Sequence, residues 1–243
     1  MPEIRYLVAG DCSLTVEFGN EISEEINGKV LALNDILQAR RIKGVVETVP
    51  TYRSLLVYYD PCVIGYKKLV AKLSALTRRL DTVSAASKKR VIEIPVCYGG
   101  SLGEDLKDVA EYAHLSADEV VRRHCSRDYL IYMLGFLPGF VYLGGMDGSL
   151  ATPRLNTPRT KIPAGSVAIG GEQTGVYPMP SPGGWRLIGT TPVKPYDPNR
   201  KEPILYQAGD YIRFKPITEQ EFYEIQALAE KNEYQCVVIE RDM

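Results

Sequence analysis

Residues 135–210 read GFLPGFVYLGGMDGSLATPRLNTPRTKIPAGSVAIGGEQTGVYPMPSPGGWRLIGTTPVKPYDPNRKEPILYQAGD. Most of the chain's glycines and prolines lie in this stretch, together with its single tryptophan, Trp185. Glycine permits backbone shapes closed to other residues and proline fixes φ, so the loops are conformationally set in advance. Between them lie short apolar segments that predict strands at 166–169, 185–190, 204–206 and 211–214. Many short strands separated by such turns predict a barrel or a sandwich.

The flanking segments complete this second domain. Before it, residues 91–96 form a predicted strand and 106–113 a short helix. Ser116 and Glu119 have the spacing of a capping box that begins a second helix, ending near Cys125. After it, the pattern predicts a helix over residues 219–230 and a closing strand over 236–239.

The first third of the chain has a different pattern. Leu14, Val16 and Phe18 alternate as in a half-buried strand, and apolar spacing predicts amphipathic helices over residues 21–41 and 66–76. Two further strands are predicted, at residues 45–49 and 54–59. The order ββαββα predicts an α+β domain with an antiparallel sheet. The polar run DTVSAASKKR then marks a linker, which predicts domains at 1–82 and 91–243 joined by residues 83–90.

Composition excludes several classes of protein. The 243 residues carry 29 Lys and Arg against 30 Asp and Glu, without a basic stripe, which argues against nucleic acid as a partner. The first residues lack the pattern of a signal peptide, and the chain has no apolar run long enough to cross a bilayer. The five cysteines are scattered and odd in number, which predicts free thiols in a reducing compartment. We therefore expect a cytoplasmic protein without membrane contact.

Standard catalytic motifs are absent. The sequence has no GxxxxGK[ST] phosphate loop, no GxGxxG and no GxSxG. Cys125 and its neighbour His124 do not form a nucleophile–base pair, because adjacent helical side chains point about 100° apart. His124 precedes the GFLPGF segment, so two interpretations stay open: an acid/base facing a site there, or a structural histidine.

Three cations stand among the rigid loops. Arg159 and Lys161 are two residues apart and would share one face of a strand, and Arg154 lies one short loop earlier. Such a group binds a carboxylate or phosphate, or else it is solvated loop charge. Gly183-Gly184 also has two interpretations, an anion-binding nest or a tight turn. Trp185 is accordingly either the wall of a pocket or a core residue.

An apolar segment precedes these cations. It contains Phe136, Pro138, Phe140 and Tyr142. These residues are either a contact surface for another protein or a cap on the barrel core.

The order of these motifs resembles one bacterial family. The segments HCSRDYLIYMLGFLPGFVYLGG, TPRLNTPRTKIPAGSVAIGGEQTGVYP, SPGGWRLIGTTP and QAGDYIRF carry the resemblance, which covers nearly the whole chain. The family goes under three names: the B subunit of 5-oxoprolinase, Kip-type histidine-kinase inhibitor and allophanate hydrolase subunit 1. One departure is the turn at residues 100–104, where members tend to be more acidic. We interpret this turn as a surface loop.

The resemblance implies a fold and an activity. The second domain would be a cyclophilin-like β-barrel, without prolyl isomerase activity because the FHR-type motif is absent. The protein would be the B subunit of an ATP-dependent 5-oxoprolinase, inactive alone, working with a separate A subunit. Its direct partner would be the C subunit. ATP with Mg²⁺ would bind mainly at the interface between these two proteins. No protein metal site is expected.

Roles follow from residue type at the positions of the family pattern and at Lys161 beside them. We expect catalytic roles for His124, Arg154 and Arg159. Substrate binding is expected from Lys161, Gln173, Thr174, Ser181, Gly183, Gly184 and Trp185.

Two other functions stay open. In one, the protein inhibits a sensor histidine kinase by binding it through Phe136, Pro138, Phe140 and Tyr142. In the other, it hydrolyses allophanate, although the sequence shows no amidase nucleophile with a base.

Overall fold

The computed structural model describes residues 4–80 and 89–241. Contacts divide the chain into two compact units, Met1–Ser87 and Lys88–Met243. Residues 83–88 of the predicted linker lie outside the described residues, so the linker and the domain bounds stay a prediction.

The N-terminal unit contains four strands and two helices in the predicted order ββαββα. The elements are β1 (Arg5–Val8), β2 (Ser13–Glu17), α1 (Glu24–Arg40), β3 (Val45–Pro50), β4 (Ser54–Tyr59) and α2 (Tyr66–Thr77). The strands form one antiparallel sheet in the order β1-β2-β4-β3. Alternate sheet residues and one stripe of each helix are buried together, as the apolar spacing predicts.

Helix α1 shows why its bounds differ from the predicted 21–41. The side chain of Ser23 accepts a hydrogen bond from the backbone N–H of Ile26, which begins the helix at Glu24. Glu24 and Glu25 then lie in the first turn, where the helix dipole favours negative charge. The helix ends at Arg40, and Arg41 follows in the left-handed conformation with φ 44°.

The C-terminal unit is built mainly of strands. Its elements are β5 (Lys89–Tyr98), α3 (Leu106–Tyr112), α4 (Ala117–Cys125), β6 (Tyr129–Leu134), β7 (Val141–Gly144), β8 (Arg159–Ile162), β9 (Ser166–Gly170), β10 (Gln173–Val176), β11 (Ser181–Gly183), β12 (Arg186–Thr190), β13 (Tyr211–Pro216), α5 (Glu219–Glu230) and β14 (Val238–Arg241). The large sheet has the order β10-β9-β12-β5-β13-β6-β7, and β14 also pairs with β5. Its two end strands, β7 and β10, lie side by side, so the sheet is a nearly closed barrel. Strands β8 and β11 form a separate two-stranded ribbon.

Three details of the sequence prediction are wrong. Residues 204–206 form no strand, because only a single bridge links Ile204 to Tyr196. The closing strand begins at Val238 instead of residue 236. Ser116 does cap α4, but the Glu119 carboxylate pairs with Arg122 and Arg123, which replaces the second half of the predicted capping box.

The barrel wall is apolar on both faces. Along β9, Val167 and Ile169 face the core inside the barrel, whereas Ala168 faces the opposite side. Strand β12 alternates in the same way, with Ile188 inside and Leu187 outside. The outside residues belong to a second cluster, which we call the outer cluster: Phe140, Ile162, Ala168, Tyr177, Trp185 and Leu187.

None of the helices in the described part of the chain combines the length and the apolarity needed to cross a bilayer. The five cysteines are all free thiols, as predicted. Within residues 4–80 and 89–241, no three His, Cys, Asp or Glu side chains are grouped closely enough to hold a metal ion.

Candidate functional site

Trp185 is the centre of the outer cluster and is only 6% exposed. Its ring lies against the backbone of β9 and β10, where a Cβ on Gly170 would stand 2.5 Å from the indole. The ring centroids of Phe140 and Tyr177 are 5.9 Å and 6.3 Å away, in edge-to-face geometry. Trp185 is therefore a core residue of this cluster.

The GFLPGF loop places its two phenylalanines in opposite environments. A backbone bond from Leu137 N to Gly135 O, 2.8 Å long, closes a three-residue turn around Phe136, whose φ is +67°. A second turn, from Phe140 N to Leu137 O, follows with Gly139 at φ +79°. As a result Phe136 is 66% exposed, whereas Phe140 is buried in the outer cluster.

The expected partner-contact set is therefore divided. Phe140 caps the barrel wall, Tyr142 is half-buried, and Phe136 and Pro138 are exposed. Phe140 is not available to a partner at the surface, because four aromatic rings surround it.

Arg154 lies over the face of Trp185. The guanidinium carbon is 5.7 Å from the ring centroid, which is cation–π distance. Its loop is fixed by a bond of 2.7 Å from Leu155 N to Gly184 O. Arg154 is exposed, and no carboxylate in the described part of the chain forms an ion pair with it. Its N–H groups are therefore available to an anion.

Arg159 is held by acidic residues at the start of α3. Its Nη2 is 2.8 Å from Asp105 Oδ1, and its Nε is 3.1 Å from Glu104 Oε1. The hydrogen bond to Asp105 raises the pKa of the guanidinium further. Its Nη1 is buried and has no hydrogen-bond partner among the described residues. One donor thus remains unused, which is uncommon for a buried polar atom.

Sequence reasoning missed the acidic side of this site. Asp105 also accepts the backbone N–H of Leu187 at 2.7 Å, and Asp108 pairs with Arg186 at 2.9 Å. Residues 100–104 lie largely at the surface, as the sequence predicts, but Glu104 also contacts Arg159 and so belongs to this site. Asp105 is 54 residues from Arg159 in sequence, so only the fold reveals the pair.

Tyr177 is a second residue that the sequence did not single out, although it lies inside one of the family motifs. A Cβ on Gly183 would stand 2.5 Å from its hydroxyl, which also takes a backbone hydrogen bond from Trp185. Burial raises the pKa of Tyr177, and the charges of Arg154 and Arg159 oppose that rise. Both arginines therefore contribute positive charge that favours the ionised form of this hydroxyl.

Gly183 and Gly184, which we call the glycine turn, and the ribbon of β8 and β11 form the rest of the site around Trp185. We call this site the outer site. Gly183 of β11 stands opposite Arg159 of β8, and Ser181 pairs with Ile162. The Ser181 Oγ is buried without a hydrogen-bond partner among the described residues. Lys161 is exposed and shares a strand face with Arg159 by alternation, as predicted.

His124 lies on the other face of the wall, inside the barrel. Its Nε2 is 2.8 Å from Thr174 Oγ1, and its Nδ1 is 2.8 Å from the Tyr98 hydroxyl. Because Thr174 donates its hydrogen to Ala168 O at 3.1 Å, it accepts from Nε2–H. Nδ1 then accepts from Tyr98, which in turn accepts the Cys125 thiol at 3.3 Å. The chain of hydrogen bonds runs in one direction and leaves no imidazole nitrogen free.

Burial also fixes the charge of this histidine. The imidazole stacks on Phe214 with centroids 4.6 Å apart, and desolvation lowers the pKa of His124 to about 3. The ring is therefore neutral at physiological pH. The structure brings Arg154, Arg159, Lys161 and the glycine turn together on one side, and it places His124 and Thr174 on the other. Gln173, adjacent to Thr174 on β10, faces outward by strand alternation.

The sequence of this chain is similar to those of known proteins. A family model described as carboxyltransferase domain, subdomain C and D, matches residues 4–206. The chain therefore belongs to this family. Within it, the chain is 41% identical over 232 residues to the B subunit of 5-oxoprolinase from Bacillus subtilis (strain 168), covering 90% of this chain and 96% of the relative. It is 45% identical over 177 residues to the Haemophilus influenzae protein of that name, covering 73% of this chain and 82% of the relative. These matches confirm the family resemblance.

Solved structures show the same fold. The crystallised protein TTHA0988 is 40% identical with a TM-score of 0.74, covering 84% of this chain, and this chain spans 40% of its length. The urea amidolyase of K. lactis covers 99% of this chain with a TM-score of 0.80, and the match spans 16% of that larger chain. At 22% identity, the second likeness concerns the fold alone.

Proposed function

We propose that this chain is the B subunit of an ATP-dependent 5-oxoprolinase, which converts 5-oxo-L-proline to L-glutamate together with the A and C subunits. The observation that carries the proposal is the 41% identity across 96% of a relative with that name. The kinase-inhibitor alternative is not favoured, since these relatives carry the oxoprolinase name and Phe140 of its expected contact loop is buried.

The proposed substrate site is the outer site around Trp185, on what we take to be a cyclophilin-like barrel. Arg154 supports this assignment, because it is exposed, has no carboxylate partner in the described chain and is oriented by the indole face. A planar guanidinium in that position suits the carboxylate of 5-oxoproline or a transferring phosphoryl group. Arg159 supplies one further unused donor, and Lys161 adds positive charge at the edge.

The proposed chemistry begins at the lactam, which is a poor electrophile. Phosphoryl transfer from ATP to the lactam oxygen converts that oxygen into a leaving group. ADP is released, and one water adds to the ring carbon. The C–N bond then breaks with a proton passing to nitrogen, which leaves an acyl phosphate of glutamate. A second water hydrolyses this acyl phosphate, and glutamate and inorganic phosphate are the products. Arg154 and Arg159 stabilise the negative charge that develops on oxygen, while Gly183, Gly184 and Gln173 supply hydrogen-bond donors.

ATP with Mg²⁺ binds, in this proposal, mainly at the interface with the C subunit. The surface around Arg154 supports such an arrangement, since Arg154 and Lys161 are exposed to solvent. A site completed by a partner explains why the chain alone would be inactive.

His124 takes a positioning role in this scheme. Its Nε2–H holds Thr174, and Thr174 fixes the register of β10 against Ala168 of β9. These strands carry Gly170 and Gly175, which seat Trp185. His124 thus acts through the wall on the outer site, without touching substrate.

Reconstitution tests the proposal. The purified chain is mixed with the A and C subunits, and glutamate formed from 5-oxoproline is measured with and without ATP. We expect ATP-dependent glutamate only when all three proteins are present. Full activity from the two partner proteins without this chain would contradict the proposal, and so would an inactive three-protein mixture whose complex forms.

A further inference from the structure

The N-terminal unit contains a basic cavity that the proposed reaction does not use. It has a volume of about 730 Å³ and lies between the end of α1 and one side of α2. Half of its ten lining residues are cations, and none is acidic: Arg40, Arg41, Lys43, Lys68 and Lys72. In a chain with 29 basic and 30 acidic residues, this concentration of one sign is a local feature. We call it the basic pocket.

The cations of the basic pocket have no carboxylate partners among the described residues. Elsewhere in the same unit, Arg5 contacts Glu17 and Lys29 contacts Glu25. The pocket therefore concentrates positive charge without internal neutralisation. Unpaired like charges on converging segments repel one another, so they favour a bound anion.

Helix α2 carries this charge at an electrostatic disadvantage. Lys68 lies in its first turn, where the helix dipole favours negative charge, and the first turn has no acidic residue. Lys68 and Lys72 are also four residues apart on one face, a like-charge spacing that destabilises a helix. Arg40 and Arg41 lie at the end of α1, where the helix dipole stabilises cations. The helix dipole gives no such stabilisation to Lys68 in the first turn of α2.

The shape and floor of the basic pocket limit the ligand. Its volume lies in the range of small-molecule sites. Buried Ile64 and Leu76 form part of an apolar floor beneath the cations. We propose that the basic pocket binds the polyphosphate of a nucleoside triphosphate, with the apolar floor receiving the base. This pocket shares no residue with the substrate site proposed around Trp185.

Calorimetric titration of the full chain tests the proposal. ATP, sodium tripolyphosphate and inorganic phosphate are titrated at low salt and again at 150 mM salt. We expect saturable binding of ATP with one site per chain, weakened by salt because exposed charges are screened. ATP binding tighter than tripolyphosphate supports contact of the base with the floor, and equal binding overturns that part of the proposal. Absence of saturable ATP binding at low salt overturns the site itself.

Charge reversal on α2 locates the binding. The double variant K68E/K72E is expected to weaken ATP binding at least about tenfold, equivalent to about 1.4 kcal/mol. The control is Lys67→Glu, which reverses one charge on the same helix outside the pocket lining and should keep wild-type affinity; the single variants Lys68→Glu and Lys72→Glu, which each reverse one charge inside the lining, are compared with it. Circular dichroism confirms that each variant is folded.

Three outcomes would contradict the proposal. Unchanged ATP affinity in K68E/K72E overturns the site, as does a loss of ATP binding in Arg154→Ala. An acidic peptide of glutamates that displaces tripolyphosphate at equal concentration would overturn the nucleotide assignment in favour of a protein partner.

Discussion

The same strands form both faces of the barrel wall, but the polar groups on the two faces differ in how fully they are hydrogen-bonded. Inside, the chain from Cys125 through Tyr98, His124 and Thr174 to Ala168 O uses each donor once. Outside, Arg154 and the Nη1 of Arg159 have bonding capacity left. A satisfied network rigidifies a core, whereas the exposed guanidinium of Arg154 is available to a ligand. The difference supports the proposal that the chemistry takes place outside the barrel.

The outer cluster covers part of the outer face. Replacing Phe140 measures how much this cluster contributes to the free energy of unfolding. Replacing Phe140 with Ala removes a buried aromatic ring from the outer cluster. We expect a loss of about 3–5 kcal/mol in the free energy of unfolding, measured by urea denaturation. Phe136→Ala, in the same loop but exposed, should cost less than about 1 kcal/mol. Equal costs at the two positions would contradict the assignment of Phe140 to the core.

Arg154 tests the open part of the outer face. Arg154→Ala should lower kcat of the reconstituted three-protein enzyme by about 10²-fold, the cost of losing one charge-stabilising donor. The free energy of unfolding should change by less than about 0.5 kcal/mol, because the side chain is exposed. Arg122→Ala removes a surface arginine of α4 that is paired with Glu119, and serves as the control. A normal kcat in Arg154→Ala would exclude it from the reaction.

His124 tests the closed inner face through pH. In the unfolded chain the imidazole takes up a proton near its ordinary pKa of 6.5, whereas in the folded protein it stays neutral down to about pH 3. The unfolded state therefore binds more protons in this window, and stability falls as the pH is lowered. Between pH 7 and 5.5 the loss attributable to this group is about 1.3 kcal/mol.

The variant His124→Phe isolates this contribution. It keeps an aromatic ring against Phe214 but does not titrate, so its stability should fall by about 1.3 kcal/mol less than that of the wild type over the same pH range. Urea denaturation at both pH values measures the difference. Parallel pH dependence in the two proteins would mean that the imidazole is accessible to protons.

The sequence predicts elements whose causes are local. Helix α5 has the predicted bounds, because Thr218 and Glu221 form a complete capping box. The apolar spacing of α1 and α2 is likewise sufficient to predict them. The two faces of the wall were not predictable, since they depend on which strands close the barrel. The basic pocket escaped for a similar reason: its cations are spread from residue 40 to residue 72, and no run of sequence shows them together.

The smallest expected effect on stability concerns the backbone at Phe136, the exposed residue of the GFLPGF loop. At ordinary positions Gly is less stable than Ala by about 0.5–1 kcal/mol, because glycine loses more backbone freedom on folding. At φ +67° the order should reverse, since a left-handed backbone costs an L-residue about 1–2 kcal/mol. Phe136→Gly and Phe136→Ala both remove the ring, so their difference reports only the backbone. We expect Phe136→Gly to be the more stable by about 0.5–1 kcal/mol in urea denaturation. If Phe136→Ala is the more stable, the loop relaxes out of the positive-φ turn once the ring is gone, and the exposed ring itself then holds the turn.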